Sequence, residues 1–346
     1  MSFGACPIPV EGGDVVVLAH GGGGRLQEQL LDKLIMPIFA NDVLTTRHDG
    51  AILPTFGGKT VVTTDSFVVT PRFFPGGNIG KLAVSGTIND LAMCGARPVA
   101  LTVALVIEEG FVLAELRTIL HAMQEEAQSL SVSIVAGDTK VVGRGQVDGL
   151  FITTTGVGEV VATNPVLPRR VVPGDAVIVS GDIGRHGMAV LCARSGFLDG
   201  EPLMSDVASL WRPVSALFAA GLDVHCLRDA TRGGLAAVVT EIATSASVTV
   251  ELDEPLIPVD AKVRGICELF GIDPVHVANE GRFVAFVPDT MADRVLDILR
   301  GQPGCHNACR VGQVVPARIA PVILRTAIGV ERILDRPFGE QLPRIC

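Results

Sequence analysis

The sequence predicts an α/β protein, α+β in type, built as two domains with a flexible C-terminal tail. Three observations carry this. The 346 residues are 48% apolar with a mean hydropathy of +0.45, enough material for two cores. Apolar runs of strand character alternate with longer stretches of helical period, separated by glycine-rich loops. Finally, NPVLPRRVVPGD (164–175) interrupts the alternation with three prolines and few core residues, which marks a boundary.

Residues 1–40 read as a strand, DVVVLA, the glycine run HGGGGR (His20–Arg25) and an amphipathic helix to about Phe39. Residues 41–163 form the first domain. It begins with the strand KTVVTTDSFVV and the loop TPRFFPGGN. A helix follows from about Ile79 to Met93, with Asn78 as its N-cap and Gly95 as its stop. RPVALTVALVI reads as a strand, LAELRTILHAMQEEAQSL as a helix, and VSIVAGDTKVV and LFITTTGVGEVV as the closing strands. Residues 164–334 form a second α/β domain. Its strands are expected in AVIVSGDIG, LRDATRGGL, HVANEGRFVAFVP and ACRVGQVVP, and its helices in HGMAVLCARSG, LAAVVTEIATSA and ADRVLDILRG. Both domains end on a similar phrase, TGVGEVV and CRVGQVV. From Asp335 the tail DRPFGEQLPRIC has two prolines and no periodic apolar face, so it is expected to be loosely held.

Composition excludes several function classes. The formal net charge is −9 and no run of lysine and arginine stands out, which argues against nucleic acid or an anionic membrane as partner. Tyrosine is absent and Trp211 is the one tryptophan, so base-stacking platforms are not expected. PVALTVALVI (98–107) is too short to span a bilayer. The first residues lack a secretory pattern, and the eight cysteines are irregularly spaced, so the reading is a reduced, cytoplasmic protein. GGKT (57–60) and GGNIGKL (76–82) imitate a P-loop. The first precedes a strand, and in the second Leu82 stands where magnesium needs a hydroxyl.

Three aspartates sit where strands or helices meet loops: Asp65, Asp90 and Asp138. They suit a magnesium–phosphate site, with Asn89 as a further oxygen donor, although each alone also reads as a cap or turn residue. DATRGGL (229–235) places Asp229, Thr231, Arg232 and Gly233 ahead of a helix, where backbone N–H groups and the helix dipole favour an anion. HGGGGR offers backbone donors to a polyphosphate. ANEG sets Glu280 after an apolar strand, and Lys140 follows Asp138; the pair could exchange protons with an amide or form an ordinary ion pair. CHNAC (305–309) lacks a second cysteine pair for zinc. His20, His186 and His276 read as loop or core residues. Cys346, the last residue, is either a chance thiol or a carrier on a flexible arm.

Together AHGGGGR, VTTDSFVV, FPGGNIGKLAVSGTINDLAMCGA, VAGDTKVV, VSGDIGRHG, LRDATRGGL, ANEG and the terminal PRIC resemble the AIR-synthetase-related (PurM-like) ATP-binding superfamily. The match is nearest to its carbamoyl dehydratase branch, which serves hydrogenase maturation, and it runs from about His20 to Cys346. The resemblance implies a two-domain ATP cleft and a barrel-like homodimer made through the first domain. It implies phosphate binding by Gly22, Gly23, Asp65, Lys81, Asn89, Asp90, Asp138, Asp229, Thr231, Arg232 and Gly233, with magnesium on Asp65, Asp90 and Asp138. Cys346 would carry a carbamoyl group loaded by a carbamoyltransferase (HypF in this branch). ATP-dependent dehydration, with Glu280 and Lys140 handling protons, would leave a thiocyanate. Its nitrile would pass to iron on a HypC–HypD-type scaffold as the cyanide ligand of a NiFe hydrogenase. Eleven residue steps from Asp335 to Cys346 give the tether a reach of about 36 Å. The rival readings are a related enzyme acting on a free small molecule, a non-catalytic metal carrier using CHNAC and Cys346, and a nucleotide-switched scaffold.

Overall fold

In the computed structural model, which describes residues 14–22, 24–47, 50–197, 200–335, 342 and 344–346, the expected DVVVLA strand is reduced to one bridge, Val15 to Val112. The reason is local. The Val17 N–H donates to His20 Nδ1 at 3.0 Å, which curls Leu18–Gly21 into a 3-10 turn. The helix that follows is present but jointed. A π-helical turn (Leu31–Ile35) links α1 (Arg25–Leu30) and α2 (Met36–Phe39), where Pro37 cannot donate to the helical ladder.

The first domain then follows its sequence closely: β1 (Thr60–Phe67), β2 (Phe73–Phe74), β3 (Gly77–Asn78), α3 (Ile79–Met93), β4 (Ala96–Glu108), α4 (Leu113–Ser129), β5 (Ser133–Val142) and β6 (Leu150–Val160). Four strands form a sheet in the order β1-β6-β4-β5, with β6 antiparallel to both neighbours and β5 parallel to β4. β4 and β6 alternate between fully and partly buried residues, because α3 and α4 pack on one sheet face only. On the other face Thr64, Ser66, Asp138 and Lys140 stand exposed.

α3 is the pivot of the molecule. Asn78 caps it, its Oδ1 accepting from the Gly80 and Lys81 N–H groups at 2.9 and 3.1 Å, and Gly95 ends it with a φ of +69°. Thirteen of its fifteen residues are buried, since it touches β1, β6 and α4 on one side and the second domain on the other.

The second domain contains β7 (Asp175–Val179), α5 (Arg185–Ser195), α6 (Trp211–Ala219), β8 (Cys226–Asp229), α7 (Gly234–Ala246), β9 (Thr249–Asp253), α8 (Ala261–Phe270), β10 (Phe283–Pro288), α9 (Ala292–Arg300), β11 (Cys309–Val315), β12 (Val322–Arg325) and β13 (Glu331–Ile333). Seven strands run in the order β13-β12-β9-β11-β7-β10-β8. β10 is buried on both faces: Val284 and Phe286 enter the α7 core, while Phe283, Ala285 and Val287 enter the α6–α9 core. Hence this strand reads as a continuous apolar run. The expected position of Glu280 is corrected here, because it precedes β10 in a loop and does not follow a strand.

Gly80 shows how tightly α3 and α4 approach. A Cβ there would lie 2.3 Å from the Ile119 carbonyl oxygen. Alanine normally gains about 1 kcal/mol over glycine in a helix, but this overlap with main chain dominates. Gly80→Ala is expected to lower stability by about 2 kcal/mol in urea unfolding; a stabilised variant would refute the packing account.

Candidate active site

Strand β1, helix α3 and the end of β8 bring carboxylates to the cleft between the two domains. The cleft has a volume of about 560 Å³, and its walls include Thr63, Asp90, Cys94, Arg228, Asp229 and Arg232. Thr63 and Asp65 lie two residues apart on one face of β1. The Thr63 hydroxyl donates to Asp90 Oδ2 at 2.6 Å. Asp65 is hydrogen-bonded to Asp90, and burial followed by the Asp90 charge holds its carboxyl up at about 6. Burial also raises Asp90, opposed by the Thr63 hydroxyl and Arg228. Asp229, which ends β8, is pushed to about 7 by burial and then by Asp90.

Glu280 completes the group from the loop before β10. It is 3% exposed, and burial followed by Asp229, Asp206 and Asp65 keeps its carboxyl well above the ordinary range, against Arg232. Its main chain is fixed from two sides. The N–H groups of Glu280 and Gly281 donate to Asp206 Oδ2 at 3.3 and 3.0 Å, and its carbonyl accepts from Ala208 N–H at 3.3 Å and Asn89 Nδ2 at 3.4 Å. Only glycine fits at 281, where a Cβ would lie 1.9 Å from the Asp206 carbonyl oxygen. Glu280 Oε1 and Asp206 Oδ1 are buried without a hydrogen-bond partner among the described residues. Two buried acceptor oxygens beside a shared carboxylate cluster suit a ligand that brings protons or positive charge.

Thr231, Arg232 and Gly233 form the turn into α7, with Gly233 and Gly234 at φ of +76° and +62°. Thr231 and Arg232 line the cleft beside Asp229, as the anion-site reading expects. Asn89, however, is not a spare oxygen donor. Its Oδ1 accepts from Leu210 N–H at 2.7 Å and its amide donates to the Ala208 carbonyl, so it joins the two domains. Lys81 stands nine residues before Asp90 on α3, about 14 Å along the axis. Gly22 lies in the turn beside β5, and Gly23 lies outside the described residues.

Asp138 and Lys140 need a correction. The register aligns Asp138 with Ala104, Thr153 and Ser66 across the sheet, so it lies on the opposite edge from β1, three strand spacings or roughly 14 Å away. There its carboxylate pairs with Lys140 Nζ at 2.9 Å, which holds it below its ordinary range. Within one chain, Asp138 does not join Asp65 and Asp90, and Lys140 does not reach Glu280. Among the described residues no three histidine, cysteine or acidic side chains are placed to hold a metal by themselves. Asp65 and Asp90 still fit magnesium, which takes one or two carboxylates and completes its shell with water and phosphate oxygens.

The expectation of a loose tail falls largely on residues outside the description, but the last three are docked. Thr70 N–H donates to the Arg344 carbonyl and Val68 N–H to the Cys346 carbonyl, both at 3.2 Å. Ile345 is buried in the first-domain core, which contributes roughly 2 kcal/mol. Cys346 Sγ lies 3.3 Å from Arg232 Nη2. Burial and then Glu280 raise its thiol pKa, against Arg232, so the docked thiol is protonated. Sequence reading missed Asp206, Arg194 and Arg228. Nothing local marks Asp206 in MSDVASL, and its role arises only from a contact 74 residues distant.

The cleft carboxyls raised on folding contribute stability that is present in acid and lost as pH rises. The folded state holds protons that the unfolded chain releases above about pH 4, so stability falls as pH rises toward about 7. Asp229→Asn is therefore expected to raise the Tm at pH 8, in chelator, by several degrees and to have little effect at pH 4. An equal shift at both pH values would show that charge repulsion is not the cause.

Two family models of AIR synthase related proteins match the chain, the N-terminal domain over residues 47–160 and the C-terminal domain over 172–324. The carbamoyl dehydratase HypE of Rhodobacter capsulatus is 44% identical over 333 residues, covering 96% of this chain and 98% of that protein. A crystal structure of the hydrogenase maturation protein HypE in complex with ATP matches with a TM-score of 0.92 at 40% identity, over 95% of this chain and 99% of that one. A crystal structure of a HypE–HypF complex matches with a TM-score of 0.78 at 42% identity, over 91% of this chain and 100% of that chain. On the length and level of this identity, the chain belongs to the carbamoyl dehydratase HypE family of AIR synthase related proteins.

Proposed function

We propose that this chain uses ATP to dehydrate a carbamoyl group carried on its own Cys346, converting a thiocarboxamide to a thiocyanate in hydrogenase maturation. The observation that carries this reading is the docked tail, which sets the Cys346 sulfur against Arg232 and beside Glu280 at the cleft. The docked thiol is protonated and hemmed in, so it is a poor nucleophile there. Loading therefore belongs to an undocked state, and the partner is the carbamoyltransferase HypF, the protein found with HypE in the related complex. A HypC–HypD-type iron scaffold is the proposed acceptor of the nitrile.

ATP would occupy the cleft with its phosphates toward Thr231, Arg232 and the turn into α7. Magnesium would be held by Asp65 and Asp90, and when bound it offsets charge on the phosphates and between the carboxylates. The carbamoyl oxygen attacks the γ-phosphorus and ADP leaves, so the oxygen becomes part of a phosphate leaving group. Arg232 stabilises the charge that develops. Glu280, relieved of part of its like-charge crowding, accepts a proton from nitrogen. The C–O bond breaks with loss of phosphate, and the departing phosphate takes the second proton from nitrogen as the C≡N bond forms. Glu280→Gln, isosteric but not basic, should load normally and lose water at least a hundredfold more slowly. The check is intact mass of the C-terminal peptide after incubation with donor, transferase and Mg·ATP, with AMP-PNP as control. Wild-type rates in Glu280→Gln would exclude it as the base. Consumption of ATP on a free small substrate with an unmodified tail would favour the rival enzyme.

Homodimerisation is part of the same proposal. Among the described residues the sheet face bearing Asp138 and Lys140 is left exposed, and a second copy of the same face would close the two sheets into a barrel. That arrangement carries Asp138 and Lys140 of one copy toward the cleft of the other. Mixing Lys140→Ala with Glu280→Gln protein, each inactive alone, should then restore about a quarter of wild-type activity. No restoration, with subunit exchange verified, would confine each site to one chain.

A further inference from the structure

Three main-chain oxygens at the end of the tail accept hydrogen bonds from the body of the protein, and the donors come from two sides. On one side Thr70 N–H takes the Arg344 carbonyl and Val68 N–H takes that of Cys346. On the other, α5 supplies side chains: Arg194 Nη2 donates to the Arg344 carbonyl at 2.8 Å, and His186 Nε2 lies 2.9 Å from the Ile345 carbonyl. Arg194 also donates to the Thr70 carbonyl through Nε and Nη2, at 2.9 and 2.7 Å, so one guanidinium spans tail and wall.

His186 is fully buried and stands edge-on to Phe74 with ring centroids 5.3 Å apart. A carbonyl can only accept, so the proton must lie on Nε2. Burial lowers the imidazole pKa, leaving the ring neutral and Nδ1 bare. Nδ1 then accepts from the Ser205 hydroxyl at 2.8 Å, and Ser205 Oγ accepts in turn from Val207 N–H at 3.0 Å. The ring is thus fixed in one tautomer, aimed at a single tail atom.

We propose that residues 68–70 with His186 and Arg194 form a receptor for the main chain of the docked tail, and that His186 is the positioning residue that holds Cys346 at Glu280 and Arg232. This rests on the reading of Cys346 as the carrier. The tail is held through its main-chain oxygens, the Ile345 side chain and the Arg344 guanidinium, which donates to the Val68 carbonyl at 3.1 Å and to Asp148 Oδ2 at 2.6 Å, and none of these contacts makes a demand on the group attached to sulfur.

The test uses full-length protein and two readouts. The first is alkylation of Cys346 by iodoacetamide, followed on the Glu-C fragment 341–346. The second is single-turnover water loss from the carbamoyl-loaded protein. His186→Ala should alkylate about tenfold faster and dehydrate about tenfold more slowly, with loading at least as fast as in the wild type and the KM for ATP unchanged. His186→Gln, whose amide N–H can reach the same carbonyl, should recover most of both losses. Arg194→Met should shift both readouts in the same direction and serves if His186→Ala does not fold. Wild-type alkylation and dehydration in His186→Ala would overturn the proposal. So would parallel loss of ATP binding and thermal stability that His186→Gln does not relieve, which marks a core residue. A wild-type protein that loads but never loses water would instead overturn the carrier chemistry, while the alkylation arm still judges the receptor.

Discussion

The amide of Asn89 holds the molecule in register. One buried side chain on α3 accepts from Leu210 N–H and donates to the carbonyls of Ala208 and Glu280, so the first-domain helix and two second-domain loops meet at one point. Asp90 is the next residue on that helix, and Glu280 owns one of the carbonyls. The distance between Asp90 and Glu280 is therefore set by a short chain of hydrogen bonds. A buried amide with all these partners is stable, whereas the same amide with one partner missing is expensive. The cleft is built where such a change would be felt first.

Against that frame the protein places charges that repel. Asp65, Asp90, Asp229 and Glu280 share a poorly hydrated space with Arg228 and Arg232 as the opposing cations. No stability argument favours four carboxyls there, because each is raised by burial before its neighbours are considered. The arrangement makes sense for a guest that carries cations and leaves protons behind. Such a guest would lower the cost of ionising the cluster and, in the proposed mechanism, turn Glu280 from an acid into a base. The same repulsion limits the base while the site holds no cation.

Much of this was legible in the sequence, and the gaps have physical reasons. α3 could be placed to the residue from Asn78 and Gly95 because capping is local chemistry. The alternating burial of β4 and β6 follows from side-chain period alone. Asp138 misleads for the opposite reason: its motif looks like Asp65 and Asp90, but two strands of the sheet lie between its strand and β1, and only pairing order reveals that. Asp206 carries no local signal, since its role is to hold the backbone of a residue 74 positions away. His186 reads as a loop or core residue and is fully buried; what sequence cannot show is that its outer nitrogen faces the chain's own end.

Recognition through the main chain has a consequence for how a carrier works. The thiol, the thiocarboxamide and the thiocyanate differ only beyond Cys346 Sγ, while the docking contacts lie on main-chain oxygens, on Ile345 and on the Arg344 guanidinium. A receptor of this kind binds all three with similar strength, apart from what Arg232 and the cleft add at sulfur. Docking then cannot give the cycle a direction, because a ligand with equal affinity for two states shifts neither. Direction must come from steps outside the receptor: ATP hydrolysis for the dehydration, and competition by loading and acceptor partners for the free tail. Tight docking would stall that exchange, and loose docking would leave the carbamoyl nitrogen away from Glu280. Two side-chain donors and two main-chain donors from the body, the Arg344 bonds to Val68 and Asp148 and one buried isoleucine hold the tail, and none of them engages the group that changes.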